Sequence, residues 1–174
     1  MSEVYPLKTK SDIEAMKKSL HGRDLLLFII GINSSLRISD IVNLKREDFD
    51  DERLILREKK TGKIKYIRIN DAIRKALEEL APTSGYLFPS RKGGSPISTT
   101  QAHRIIKAAA TRAGIPYNVG SHTMRKTFAY FAYKNGTDLA LLMRILNHSS
   151  QYETLKYIGI ERKQQDDVFL TVNL

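Results

Sequence analysis

The sequence contains no cysteine and no tryptophan among its 174 residues. Without cysteine, neither disulfides nor cysteine-ligated metal sites can form, and a reducing cytoplasm is the expected compartment. The longest apolar run, Leu25–Ile30, is far shorter than the roughly 20 residues that span a bilayer. Met1–Glu3 begins no basic-then-apolar signal peptide. These absences predict a soluble cytoplasmic protein that has no membrane partner.

Acidic residues are absent from one long stretch. No Asp or Glu occurs from Leu80 to Thr137, although the chain has 19 acidic residues and a net charge of +10. The basic residues of this stretch are Arg91, Lys92, Arg104, Lys107, Arg112, Arg125, Lys126 and Lys134. A generally basic surface is one interpretation, but a single side that neutralises phosphates explains the clustering better. Nucleic acid is therefore the expected partner.

Hydrophobic periodicity predicts a mainly α-helical domain with a small antiparallel β-sheet, an α+β fold. Helices are expected over residues 11–20, 23–33, 38–44, 70–80, 98–113, 121–135, 138–146 and 152–160. The expected N-caps are Ser11, Asn70, Ser98 and Ser121. A hairpin joins strands 54–56 and 64–69, with Lys65 and Ile67 on the face opposite Tyr66. No repeat or linker divides the chain, so residues 1–174 are expected to form one domain.

Six residues together could cut a phosphodiester through a protein hydroxyl: Arg37, Lys60, His122, Arg125, His148 and Tyr157. Such a reaction needs a nucleophile, fixed positive charge on the non-bridging oxygens, and a proton for the leaving oxygen. Arginine suits the second task because its planar fork stays charged and holds two oxygens. His122 and Arg125 are three residues apart, so a helix places them on one face.

Several of these residues also have ordinary structural interpretations. Arg37 could form a helical pair with Asp40, and the two roles are compatible because Asp40 could hold the arginine in place. Arg125 could be one more cation of the basic surface, and a lone histidine such as His122 is commonly a structural group. His148 could stabilise a helix C-terminus.

The lysine and the tyrosine each have rivals close by in the sequence. Lys60 could protect the edge of the hairpin, and neighbouring lysines compete with it for a role in proton transfer. These competitors are Lys59, Lys63 and Lys65. Tyr152 is the nearest rival of Tyr157, and the step of nine residues from His148 favours Tyr157.

Four motifs occur in one order along the chain: Ser35–Asp40, Lys60–Gly62, His122–Thr127, and Leu146–Ser150 followed by Tyr157. They are similar to the G-L-R-I-S-E, K-T-G, H-x-L-R-H-T and L-G-H-S-S…Y motifs of the tyrosine recombinase, or phage integrase, family. Each motif is modest alone, whereas all four in order are specific. The chain thus resembles the catalytic domain of this family over nearly its whole length.

The resemblance implies a reaction that needs no metal, no cofactor and no small-molecule substrate. Tyr157 attacks the scissile phosphate of double-stranded DNA, which gives a 3′-phosphotyrosyl bond and a free 5′-hydroxyl. A partner strand's 5′-hydroxyl then reverses the chemistry. The other implied roles are charge stabilisation by Arg37, Arg125 and His148, proton handling by His122, and protonation of the leaving oxygen by Lys60.

The sequence departs from the family pattern in a few places. Ser35 and Asn147 stand where family members usually carry glycine, which predicts a slight change of backbone geometry. The catalytic domain begins within the first few residues, so an N-terminal core-binding domain is expected to be absent. The chain is then either an excised fragment or a naturally short recombinase. The resemblance also implies a tetramer on DNA. The tail, residues 161–174, ends in a strand-like segment, residues 168–174, which could add to a sheet in cis or in trans.

Two other functions use the same sequence features. A type IB topoisomerase-like enzyme would relax DNA through the same residues without recombining it. A DNA-binding regulatory module without catalysis would need only the basic surface. The presence of every expected reactive group favours the recombinase.

Overall fold

The computed structural model describes residues 3–50, 52–60 and 62–159. This part of the chain contains eight α-helices, one 3₁₀ turn and one two-stranded sheet. The helices are α1 Lys10–Lys18, α2 Gly22–Ser34, α3 Ile38–Ile41, α4 Asp71–Leu80, α5 Thr99–Arg112, α6 Ser121–Lys134, α7 Leu139–Leu146 and α8 Gln151–Ile158. The 3₁₀ turn is Arg46–Asp48, and the strands are β1 Arg53–Arg57 and β2 Ile64–Arg68. The predicted α+β fold is confirmed.

Helix α2 forms the centre of the main core because it is apolar nearly all round. Leu26, Leu27, Phe28 and Ile30 are all fully buried. The helix packs against α4 and α6. At Gly31 a Cβ atom would clash with Met124 of α6, so the glycine permits the close approach of the two helices. This contact fixes α6 against the core directly beside Arg125.

The hairpin forms as the alternating pattern predicts. Strands β1 and β2 pair antiparallel, with Ile55 opposite Tyr66 and Leu56 opposite Lys65. Lys65 and Ile67 are half-buried, whereas Tyr66 is exposed, so the predicted division of faces is confirmed. The predicted strand in the tail lies outside the described residues.

Helix ends follow local capping chemistry. Asn70 and Ser98 accept hydrogen bonds from the backbone N–H groups of Ile73 and Gln101, as predicted for N-caps. The predictions at Ser11 and Ser121 are wrong. The Thr9 hydroxyl caps α1, and Gly120 stands at the N-cap of α6.

A second, smaller core joins the last three described helices. Its buried members are Ala129, Tyr130, Leu142, Leu146 and Ile158, contributed by α6, α7 and α8. This packing places Tyr157, on α8, beside the start of α6. Among the described residues, no helix is long and apolar enough to cross a membrane.

Candidate active site

Arg125 is the most enclosed of the six predicted site residues, with only 4% of its surface exposed. One guanidinium nitrogen donates to the carbonyl of Ser35, and the other donates to the carbonyl of Leu146 at 2.6 Å. The side chain therefore connects the end of α2 with the end of α7. A buried guanidinium with two carbonyl partners stays charged and holds a fixed orientation.

Arg37 lies immediately before α3, and its side chain is 18% exposed. Its guanidinium contacts the carboxylate of Glu58 at 3.2 Å. Among the described residues, Arg37 forms no ion pair with Asp40, the alternative partner that the spacing suggests. Instead, Asp40 accepts a hydrogen bond from the backbone N–H of Lys59 at 2.9 Å. Asp40 thus anchors the hairpin, and Glu58 holds Arg37.

Tyr157 has a buried hydroxyl that makes no hydrogen bond of normal geometry within the described residues. Burial raises the pKa of this phenol, while the neighbouring guanidinia of Arg125 and Arg37 lower it in part. The ring meets that of His148 edge to face, with 4.9 Å between centroids. The ammonium of Lys126 lies 5.2 Å from the centroid of the Tyr157 ring. A buried hydroxyl that lies beside the Arg125 guanidinium without a hydrogen bond of normal geometry calls for a functional explanation.

His148 is held by a short chain of hydrogen bonds. Its Nδ1 lies 3.0 Å from the hydroxyl oxygen of Thr154, and that hydroxyl lies 3.2 Å from the carbonyl of Ser150, to which it donates. A hydroxyl that donates its hydrogen to the Ser150 carbonyl can only accept from the imidazole. We therefore predict that Nδ1 carries the proton in neutral His148 and that Nε2 keeps a lone pair.

Both site histidines have lowered pKa values. Burial is the main cause for His148; Glu153 opposes it, and Arg125 and Arg37 add to it. His122, the second residue of α6, is partly exposed, yet burial of the rest of its ring and the charge of Arg125 lower its pKa. With pKa values below the usual 6.5 or so, both rings are neutral at pH 7 and can accept a proton.

Lys60 and Lys65, the two lysines most relevant to the site, lie in different environments. Lys60 is exposed near the tip of the hairpin. Its charge helps to lower the pKa of the Glu153 carboxylate, after the larger contribution of hydrogen bonds from Ser149. Lys65, by contrast, places Nζ 3.3 Å from Glu58. Burial lowers the pKa of Lys65, Glu58 raises it, and the arginine neighbours lower it further.

The sequence reasoning overlooked three groups at this site: Glu58, Lys126 and Thr154. It considered Lys65 only as a competitor of Lys60. One signal could have indicated Glu58. Residues 54, 56 and 58 share one face of the hairpin, and Leu54 and Leu56 are apolar, so strand alternation directs Glu58 inward. The rival nucleophile Tyr152 has 74% of its surface exposed, far from the buried environment of Tyr157.

Comparison with known proteins places the chain among the recombinases. Residues 8–164 match the phage integrase family. The chain is 41% identical over 168 residues to the probable integrase/recombinase YoeC of Bacillus subtilis, covering 92% of each protein. It is 31% identical over 160 residues to the tyrosine recombinase XerA of Pyrococcus furiosus, covering 87% of this chain and 55% of XerA. The chain thus spans nearly all of YoeC and about half the length of XerA.

Solved structures share the fold. The crystal structure of a XerA recombinase superposes with a TM-score of 0.78 at 22% identity, over 100% of this chain and 67% of that one. A XerH recombinase bound to its difH substrate has a TM-score of 0.77 at 19% identity, over 95% of this chain and 52% of that one. A lambda integrase dimer bound to a core site has a TM-score of 0.70 at 18% identity, over 92% of this chain and 63% of that one. Taken with the motifs and the family match, these likenesses confirm the expected tyrosine recombinase catalytic domain, and the chain belongs to the phage integrase family.

Proposed function

We propose that this chain is the catalytic domain of a site-specific DNA recombinase or integrase, which cuts and rejoins DNA through a 3′-phosphotyrosyl intermediate. One observation carries the assignment of the nucleophile. The Tyr157 hydroxyl is buried beside Arg125 and Arg37 and has no hydrogen bond of normal geometry among the described residues. A phosphate bound by the two guanidinia would lie next to this oxygen, where attack is possible.

The protonation states suit this reaction. Tyr157 has a raised pKa, so its hydroxyl keeps its proton at pH 7 and needs a base as it attacks. His122 is neutral there and can take that proton. The tyrosine oxygen forms a bond to phosphorus, the bond from phosphorus to the 5′-oxygen breaks, and Lys60 protonates the departing oxygen. Arg37, Arg125 and His148 stabilise the charge on the non-bridging oxygens.

Double-stranded DNA is the proposed partner. The structurally similar XerH recombinase is bound to a difH substrate, and the Tn1549 transposon integrase is in complex with a circular intermediate DNA. The basic stretch of this chain offers a charge that matches such a partner. We also propose that residues 1–174 act as one catalytic domain, that four protomers assemble on two DNA sites, and that residues 161–174 pack against a neighbouring protomer. A cytoplasmic location stays a prediction from the absence of cysteine.

The two alternatives make different demands on the site. A catalytically inactive DNA-binding module has no use for a buried tyrosine hydroxyl held beside two guanidinia, so the geometry favours an enzyme. A type IB topoisomerase-like enzyme would use the same side chains. Recombination of two sites, as opposed to relaxation of supercoiled DNA, distinguishes these two activities.

A suicide substrate tests the proposal. The site is first selected from a randomised duplex library by binding, and a nick is then placed next to the scissile phosphate so that cleavage traps the covalent complex. Wild-type protein and the Tyr152→Phe control are expected to give a protein–DNA adduct on denaturing gels, and Tyr157→Phe none. Normal binding without any adduct in the wild type would support the inactive module instead. Loss of the adduct in Tyr152→Phe, with Tyr157→Phe active, would reassign the nucleophile.

A further inference from the structure

Glu58 is a buried carboxylate at the centre of the site, only 1% exposed. It directly follows Arg57, the last residue of β1. One carboxylate oxygen contacts the guanidinium of Arg37 at 3.2 Å and the ammonium of Lys65 at 3.3 Å. The other accepts a hydrogen bond from the side-chain amide of Asn147, also at 3.2 Å. The carboxylate therefore contacts three separate parts of the chain.

These contacts converge on groups of the proposed reaction. Arg37 is a proposed phosphate ligand, and Asn147 immediately precedes His148 in a left-handed backbone conformation, φ 53°. Lys65 donates a further hydrogen bond to the carbonyl of Ile145, at 3.1 Å. The hairpin is thus fastened to the end of α7 by Lys65 and to the His148 loop by Glu58.

The local charge explains why a carboxylate is needed here. Burial is the main cause of the lowered pKa of Lys65, and the nearby positive charges of Arg125 and Arg37 lower it further. Three cations in a half-buried site repel each other, and a buried anion among them offsets that repulsion. Without this anion, Arg37 would be driven towards solvent in the absence of DNA.

We propose that Glu58 is a positioning residue for strand cleavage, which orients the Arg37 guanidinium through one carboxylate oxygen and the His148 loop through the other. This inference rests on the proposed function. Glu58 itself does not bind the substrate, because a carboxylate repels a phosphate and this one is enclosed by its own partners. Its effect reaches the reaction through Arg37 and His148, and Lys65 keeps the carboxylate in place.

The test compares Glu58→Gln with Glu52→Gln in the full chain. Both changes remove one negative charge from the hairpin region, but Glu52 is exposed. Affinity for the selected DNA site and the single-turnover rate of adduct formation are measured separately. We expect Glu58→Gln to bind DNA within about threefold of the control but to form the adduct at least about tenfold more slowly, since misplacing a reacting group by about 1 Å can cost roughly 10²-fold. Equal rates in the two variants would overturn the proposal, as would a loss of affinity that accounts for the whole effect.

A second variant covers the case in which Glu58→Gln does not fold. Glu58→Asp keeps the charge and withdraws the carboxylate by one methylene, so it cannot reach all its partners. A folded Glu58→Asp protein, verified by circular dichroism, is expected to cleave more slowly at unchanged affinity, and a wild-type rate would refute the inference. Adduct formation by the wild type in the same assay separates the two hypotheses. If the wild type forms no adduct, the proposed function fails; if it does and the Glu58 variants match it, only the role of Glu58 fails.

Discussion

At the scale of single residues, the position of one proton on His148 affects how the site can work. Thr154 is fully buried, and its hydroxyl stands between the imidazole and the carbonyl of Ser150. This arrangement leaves Nε2 of neutral His148 with a lone pair at pH 7. On binding DNA, the ring can then gain a proton and donate it as a hydrogen bond to a phosphate oxygen.

Replacement of Thr154 tests this arrangement. Thr154→Val keeps the shape but removes the hydroxyl, and we expect adduct formation to slow by about fivefold to tenfold, which corresponds to one orienting hydrogen bond of about 1 kcal/mol. Thr154→Ser keeps the hydroxyl and is expected to retain most of the rate. Nitrogen-15 NMR of the wild type should show the Nδ1–H tautomer above the lowered pKa of His148. A predominant Nε2–H tautomer would contradict the assignment.

Where chemistry and spacing agree, as for His122, Arg125 and Tyr157, the sequence alone predicts site residues, and their roles stay predictions. The partners of the site residues could not be predicted in this way. Arg37 has an acidic neighbour three residues away, but its actual partner, Glu58, is 21 residues away and belongs to another element. Local spacing reveals pairs on one helix, whereas a contact between a helix end and a strand depends on how the two elements pack.

At the scale of elements, the hairpin brings two lysines to different surroundings. Lys65 is on its inner face, and Lys60 lies in its exposed tip. The alternating pattern predicted the two faces, because a strand turns successive side chains to opposite sides. It could not predict that Lys65 would meet Glu58 and Ile145, since those contacts depend on where α7 ends.

The role of Lys60 as general acid can be tested by changing the leaving group. We expect Lys60→Ala to slow cleavage of ordinary DNA by about 10²-fold or more. Sulfur in place of the leaving 5′-oxygen should restore most of the rate, because a thiol of pKa about 8.5 departs as a thiolate without a proton. Lys63→Ala, also in the exposed turn, is the matched control and should cleave ordinary DNA nearly normally. Rescue by sulfur in Lys65→Ala, but not in Lys60→Ala, would move the acid to the buried lysine.

Two helix ends show how backbone conformation prepares the site. Ser35 and Asn147 are the only non-glycine residues with positive φ in the described parts of the chain, at 57° and 53°. The family pattern has glycine at both positions, and here Ser35 and Asn147 adopt the left-handed conformation that favours glycine. The expected slight change of backbone geometry relative to the family stays a prediction. Each of the two residues directs the chain into a segment that carries a site residue.

At the scale of the whole molecule, the charge distribution predicts which face attracts DNA. Helix α5 exposes Arg104 and Lys107 within the stretch that lacks acidic residues. Periodicity predicts the order and type of the elements, and the apolar pattern of residues 23–33, which runs nearly all round the helix, predicts the central, buried position of α2.

The salt dependence of DNA affinity tests whether Arg104 and Lys107 contact phosphates. If Arg104 and Lys107 each neutralise one phosphate, replacing either with alanine should weaken binding and reduce the slope of log affinity against log salt by about 0.9. Lys75→Ala on α4, where the side chain is 74% exposed, serves as the control. It removes the same charge outside the basic stretch and is expected to leave the slope unchanged. An equal change of slope for all three variants would mean that overall net charge, and no particular face, attracts DNA.

The two carbonyl partners of Arg125 determine when the site can form during folding. One partner precedes the arginine by 90 residues and the other follows it by 21. The guanidinium therefore cannot be fixed until α2, α6 and α7 have all docked, and contacts between such distant residues form late in folding. Tyr157 is also on the last described helix, so it leaves the ribosome after its cationic partners. A nascent or partly unfolded molecule accordingly carries the separate chemical groups without the arrangement that we propose for DNA cleavage.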